Sequence, residues 1–280
     1  MRQMVIGVIG AVMCLSSATA AAAQTWTGFY IGGSVGAGFQ SGDTSETVAF
    51  DTNLDGQFGD VIRTGLGADA FAPGFCGGLA VGATPAMGCD EDEDGIDFGG
   101  RVGYDWQRGR VVIGALVDVS KTDVIDSATA FSITPAFYAF TRELNYVGGL
   151  RARIGYGADR VLVYATGGPA WGSIDQSFTT SNAVNTFVPA GDSGDDDGSG
   201  TMVWGYQAGA GVEIRFGARM SLVGEYLFTS LDNREESAIR VQGPAPATNP
   251  FILVNTAGSD LRRDDPFEFQ AARVGLSVRF

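Results

Sequence analysis

Ten charged side chains are the residues most able to do chemistry inside the regular segments of this 280-residue chain: Arg101, Asp105, Asp118, Arg151, Arg153, Glu213, Arg215, Glu225, Arg273 and Arg279. In each segment they share one face of a period-two pattern with glycines and small residues. Six cations face four anions. In a narrow space such groups must pair or be hydrated, because an unpaired buried charge is costly. Two readings stand: an ion-pair plug that locks the structure, or a gate for a thin ion pathway.

The other candidate chemistry lies in acidic segments. Residues 41–96 carry 11 acids against the single base Arg63, and residues 179–200 carry four acids and no base. Such a surface repels nucleic acid, whose binding needs basic patches, and attracts divalent cations. Asp51, Asn53, Asp55 and Gly56 repeat the opening of a calcium loop, as do Asp90, Asp92, Asp94 and Gly95. The twelfth position, where a bidentate Glu belongs, holds Ile62 in one and Arg101 in the other. A solvated acidic loop is the alternative in both places, and Asp195-Asp196-Asp197-Gly198 is a weaker match. With no histidine in the chain, there is no Ser-His triad, no His base and no His metal ligand. Haem would have to be held by Tyr. No carboxylate pair suggests a hydrolytic mechanism, so neither enzyme activity nor a cofactor is expected, with Ca2+ on the loops as the alternative.

The elements that position the ten charges are strands. From Met202, the residues Trp204, Tyr206, Ala208, Ala210, Val212, Ile214 and Phe216 form one face, against Gly205, Gln207, Gly209, Gly211, Glu213 and Arg215. Tyr146, Gly148, Leu150, Ala152, Ile154 and Tyr156 oppose Val147, Gly149, Arg151, Arg153 and Gly155. Val274, Leu276, Val278 and Phe280 oppose Arg273, Gly275, Ser277 and Arg279, and Val102, Tyr104 and Trp106 oppose Arg101, Gly103, Asp105 and Gln107. Four less regular strands are expected near 26–39, 110–120, 160–174 and 220–231.

Residues 1–23 read as a secretory signal peptide: Arg2, an apolar run from Met4 to Leu15, and Ala21-Ala22-Ala23 before a start at Gln24. Cys14 lies within the apolar run after bulky Met13, which argues against a lipid anchor. Cys76 and Cys89 then reach an oxidising compartment, where they either pair or remain two thiols in a loop. Beyond the signal no apolar stretch approaches the ~18 residues of a spanning helix. A closed barrel, which pairs every backbone group between strands, is the remaining way to cross a bilayer.

The connections agree with an all-β, eight-stranded antiparallel transmembrane barrel over 24–280. Tight turns at Gln107–Arg110, Gly157–Arg160 and Phe216–Arg219 alternate with long acidic loops near 41–96, 121–141, 179–200 and 232–266. That count puts both termini on the turn side, the periplasm. Thr47–Phe50 and Phe251–Val254 look strand-like within the longest loops. Trp26, Trp106, Tyr156, Phe216 and Phe280 are expected at the periplasmic rim, and Trp171, Trp204, Phe228 and Phe267 at the outer one, where aromatic rings meet headgroups.

On several sequence blocks the chain resembles the alphaproteobacterial outer-membrane immunogenic or porin-like β-barrel family, whose transmembrane architecture is OmpA-like. The blocks are W-T-G-F-Y-I-G-G-S-V-G-A-G from Trp26, V-G-Y-D-W-Q from Val102, G-L-R-A-R-I-G-Y from Gly149, L-V-Y-A-T-G-G-P-A-W-G from Leu162, G-A-G-V-E-I from Gly209, E-Y-L-F-T from Glu225 and R-V-G-L-S-V-R-F at the end. The resemblance implies a place in a Gram-negative outer membrane, contact with lipid and lipopolysaccharide, and a role for Phe280 as the signal read by the barrel assembly machinery. The long acidic first and last loops depart from the family. The function expected is non-catalytic: support of membrane integrity and display of acidic loops to an extracellular partner the sequence does not name. A narrow diffusion channel and an adhesin or host-contact surface protein are the alternatives.

Overall fold

Period-two segments rich in β-branched and aromatic residues, broken by Gly-containing turns, fold as strands because one face has lipid or protein to cover it and the other has the interior. The structure, a computed structural model, describes residues 25–40, 46–190, 200–232, 238–243 and 248–280. The signal peptide, Cys14 and Asp195–Asp197 therefore lie outside the described residues. Among the described residues sixteen strands follow in order. The first five are β1 (Gly28–Phe39), β2 (Val48–Asp51), β3 (Gly74–Gly77), β4 (Leu79–Ala80) and β5 (Cys89–Asp90). Next come β6 (Gly95–Arg108), β7 (Val111–Thr122), β8 (Ile125–Ser132), β9 (Ala136–Gly157) and β10 (Val161–Thr180). The last six are β11 (Thr186–Pro189), β12 (Thr201–Arg215), β13 (Met220–Asp232), β14 (Ile239–Gln242), β15 (Ser259–Arg263) and β16 (Phe267–Arg279).

Eight of these close a barrel. Going round the wall, β1, β6, β7, β9, β10, β12, β13 and β16 each pair antiparallel with the next, and β16 pairs back onto β1 from Tyr30–Arg279 to Phe39–Gln270. Closure leaves no free strand edge in the wall. Along β12 burial alternates residue by residue: Gln207, Glu213 and Arg215 are buried, while Trp204, Tyr206, Val212 and Ile214 stand outside. Among the described residues no helix is long and apolar enough to cross a membrane.

The loop end differs from expectation. Strands β9 and β10 run on well past the wall; β8 pairs along the upper half of β9, where β7 has ended, and β3 pairs with β8. Much of the expected 121–141 loop is thus strand. A second sheet, β11-β14-β15-β2, packs over this extension. Between the two sheets lies an apolar core of Val48, Phe50, Ile62, Phe71, Tyr138, Phe140, Val241, Phe251 and Leu261. The acidic connections therefore include a folded cap with its own core. Of the two segments expected to be strand-like, Thr47–Phe50 lies largely in the strand Val48–Asp51, but Phe251–Val254 is not a strand. Pro250 opens a 3-10 turn there and the Asn249 side chain accepts the Phe251 amide at 3.0 Å; β2 pairs with β15.

Candidate functional site

The interior is built in layers. At the turn end Trp26 is fully buried, with its indole N–H donating to the Ala158 carbonyl at 3.0 Å. The Arg215 guanidinium lies 3.9 Å from its ring centre. Trp26 thus stops the barrel mouth and is not a lipid-facing rim residue; a mouth lined by inward side chains needs a large ring to fill it. The next layer joins Arg153 to Asp105 (3.0 Å) and Glu213 (2.8 Å), and Arg279 to Asp105 (2.8 Å). Tyr30 and Tyr164 flank Arg153, with ring centres 5.2 and 4.2 Å away. Glycines make room for these rings: a β-carbon at Gly103 would fall 2.5 Å from the Tyr30 hydroxyl, and one at Gly211 would fall 2.5 Å from the Tyr164 ring.

In the middle layer the two Glu225 oxygens take Arg101 and Arg151, each at 3.2 Å, while the Tyr164 hydroxyl donates to Glu225 at 2.8 Å. Arg151 also meets Asp118 at 3.0 Å, and Arg273 bridges Asp118 (3.2 Å) to Asp97 (2.7 Å). The gap beside Arg101, Asp118, Arg151, Glu225 and Arg273 has no room for a water molecule. Above it an apolar layer fills the lumen with Leu144, Val147, Val203, Leu227, Leu231, Phe267 and Phe269. Phe267 is fully buried here, not at the outer lipid rim, because it shares the inward parity of Phe269 and Arg273.

All ten charged residues singled out in the sequence are buried. Their balance is not six against four. Asp97, four residues before Arg101 on the same face of β6, joins Arg273, and Arg215 sits at the mouth on Trp26. Five arginines (101, 151, 153, 273, 279) then face five carboxylates (Asp97, Asp105, Asp118, Glu213, Glu225).

A second charged cluster, missed in the sequence, ties the cap to the barrel. Arg142 meets Asp126 and Asp265, the latter at 2.8 Å, and Arg263 meets Asp126 (2.8 Å), Asp265 (2.6 Å) and Glu46 (3.0 Å). A β-bulge explains why parity hid Arg142. Between the pairs Ser173–Tyr146 and Ile174–Leu144, Asn145 is an extra residue. Beyond it the inward face of β9 changes from odd to even numbers, as a bulge requires. Burial and the neighbouring Asp126 carboxylate raise the Glu46 carboxyl to about 9. Asp126 itself, though buried, is held below its ordinary range by Arg142 and Arg263. With Glu46 protonated, two arginines balance two carboxylates.

The candidate calcium residues are placed otherwise. Asp51 is buried, and its oxygens accept the amides of Leu54 (2.7 Å), Asp55 (3.3 Å) and Gly56 (2.8 Å). Asn53 and Asp55 bond to each other and to local amides. Asp90 and Asp94 are exposed, and Asp92 accepts the Ser127 amide at 2.8 Å. The carboxylate oxygens that do converge, within 4.8 Å, belong to Glu46, Asp92 and Asp126, where Arg263 already supplies the positive charge. Cys76 on β3 and Cys89 on β5 form a disulfide. Phe280 is exposed on the outer face of the wall, its amide bonded to the Phe29 carbonyl at 2.9 Å.

A closed eight-stranded wall with an apolar outer face and a charge-paired interior defines a transmembrane β-barrel of the outer-membrane type. The family model for the outer membrane protein beta-barrel domain matches residues 8–280, and the chain belongs to that family. It is 28% identical over 275 residues to a 31 kDa outer-membrane immunogenic protein of Brucella melitensis, spanning 95% of this chain and 89% of that one. It is 26% identical over 163 residues to a 22 kDa outer membrane protein of Rhizobium leguminosarum, spanning 58% and 64%. These relatives place it among alphaproteobacterial proteins of the Gram-negative outer membrane. Similar solved structures include the outer membrane protein OprG of Pseudomonas aeruginosa, at TM-score 0.47, 11% identity and 91% and 97% coverage. Ail of Yersinia pestis is another, at TM-score 0.32, 9% identity and 90% and 99% coverage.

Proposed function

We propose that this chain is a non-catalytic barrel that supports outer-membrane integrity and carries a folded, acidic cap outside the cell, with both termini and the three tight turns in the periplasm. The observation that carries this reading is the network in which five arginines pair with five carboxylates across the lumen, with the sixth arginine, Arg215, stacked on Trp26 at the mouth and an apolar layer above. A diffusion channel needs a continuous hydrated path; charges paired across the lumen and an apolar layer above them speak against that reading. The absence of histidine from the sequence and the pairing of the interior carboxylates with arginines argue against catalysis. The exposed belt contacts lipid and lipopolysaccharide, and Phe280 serves as the signal for the barrel assembly machinery.

The test is a deletion strain. Complementation with the full chain should restore resistance to bile salts and large antibiotics, whereas equal sensitivity with and without the chain would overturn the integrity role.

A contact role for the cap has its own support. The segment around the Cys76–Cys89 disulfide is tied down, not loose, and the Brucella relative is named as immunogenic. Replacing residues 74–90 with a short Gly-Ser linker should then abolish binding to host cells and leave the barrier intact.

A further inference from the structure

The three tight turns end alike. Arg110, Arg160 and Arg219 each stand immediately before the strand that follows. Each carbonyl accepts an amide from the neighbouring strand end: Gly157 to Arg110 at 2.7 Å, Arg215 to Arg160 at 2.8 Å, and Arg279 to Arg219 at 2.8 Å. The β6–β7, β9–β10 and β12–β13 turns succeed one another around the wall, so the arginines are anchored over most of the rim. With Arg108, all four guanidinium side chains are exposed. Against them in the turns stands one acid, Asp159. The first outward residues of the wall, Val111, Val161 and Met220, follow at once, beside exposed Trp106, Tyr156 and Phe216. Arg110 donates to the Tyr156 hydroxyl at 2.5 Å, with its guanidinium 5.7 Å from that ring's centre. The charge is thereby held at the level where the aromatic belt ends.

We propose that this rim docks the phosphates of anionic glycerophospholipids in the leaflet on the turn side. Planar guanidinium groups suit phosphate oxygens, and basic groups at the edge of an apolar belt lie at headgroup depth. The sequence concentrates its acids at the opposite end, where residues 41–96 alone hold 11, so the rim is net positive while that end is net negative. This inference does not depend on whether the lumen conducts.

The test reconstitutes the full folded barrel in phosphatidylcholine vesicles containing spin-labelled phosphatidylglycerol or spin-labelled phosphatidylcholine. The fraction of label immobilised on the protein is then measured. The wild-type chain should hold phosphatidylglycerol about threefold better at low ionic strength, with the preference shrinking as salt screens it. The triple variant Arg110→Gln, Arg160→Gln, Arg219→Gln should lose the preference, the single Arg160→Gln should lose part of it, and the cap variant Arg240→Gln should keep it. Folding of each is checked by its heat-dependent migration on a gel. A triple variant as selective as the wild type, or a wild type with no preference, overturns the proposal. Abolition of the preference by inorganic phosphate, but not by chloride of equal ionic strength, would assign the rim to a free anion and also overturn it.

Discussion

The carboxylate of Glu225 lies 3.2 Å from the Arg151 guanidinium, a contact between residues 74 positions apart in sequence, and both side chains are fully shielded from solvent. Removing Glu225 takes the carboxylate from Arg101 and leaves Arg151 with Asp118 alone in a low-dielectric interior. Glu225→Ala should therefore destabilise the barrel by about 3–5 kcal/mol, read as a shift in urea unfolding in lipid vesicles. The double variant Glu225→Leu, Arg101→Met should recover much of the loss, since Arg151 and Arg273 then still balance Asp118 and Asp97.

Tyr30 requires the absence of a side chain at Gly103. A β-carbon there would also come within 2.8 Å of the Ala115 carbonyl, which cannot give way as a flexible side chain could. Gly103→Ala should cost about 1–3 kcal/mol, as overpacking does, and lower the temperature at which the folded gel band converts to the unfolded one. Gly224, with nothing within 4 Å of its β-carbon position, should tolerate alanine in the same assay.

The clasp beneath the cap should respond to alkali. Glu46 is raised to about 9 by burial and by Asp126. A carboxyl raised on folding stabilises most below its unfolded value of ~4 and loses that contribution as pH climbs through its folded value. Asp126 works the other way: its lowered value gives stability above the unfolded range that disappears in acid. Cap protection, measured by amide hydrogen exchange corrected for the intrinsic rate, should thus fall between pH 6 and pH 10. Glu46→Gln should flatten that fall, and an unchanged pH profile in the variant would refute the assignment.

What the sequence made legible follows from where its pattern stays regular. Alternation through Arg151, Arg153, Glu213 and Arg273 places these residues indoors because one residue's face fixes its neighbour's for the length of a strand. The rule fails at Asn145, where one inserted residue reverses the face and brings Arg142 inside. Asp97 was missed because the alternation was read only from Arg101, although β6 begins at Gly95. The cap was obscured for a different reason. Its strands β2, β11 and β14 have four residues each, too few to show a period, and Phe50, Phe71, Phe251 and Leu261 meet only through long-range packing. Strand-like composition at Phe251 yielded to the Pro250 turn and its Asn249 cap.

The Cys76–Cys89 bridge closes a loop with a sequence separation of 13. On the chain-entropy account such a loop is worth about 3 kcal/mol, and it acts on the cap alone. Cys76→Ser with Cys89→Ser should speed protease cleavage within residues 78–88 several-fold. The barrel's gel conversion temperature should stay within about 2 °C of the wild type, because no wall strand is tethered by the bridge.

The sealed interior is tested most directly by current. Refolded protein, residues 24–280, is inserted into a planar bilayer and recorded beside an Arg151→Ala variant. A folded wild-type barrel that passes no reproducible current steps is the expected result, and steps whose size changes with Arg151→Ala would contradict it by making the paired charges a conducting path.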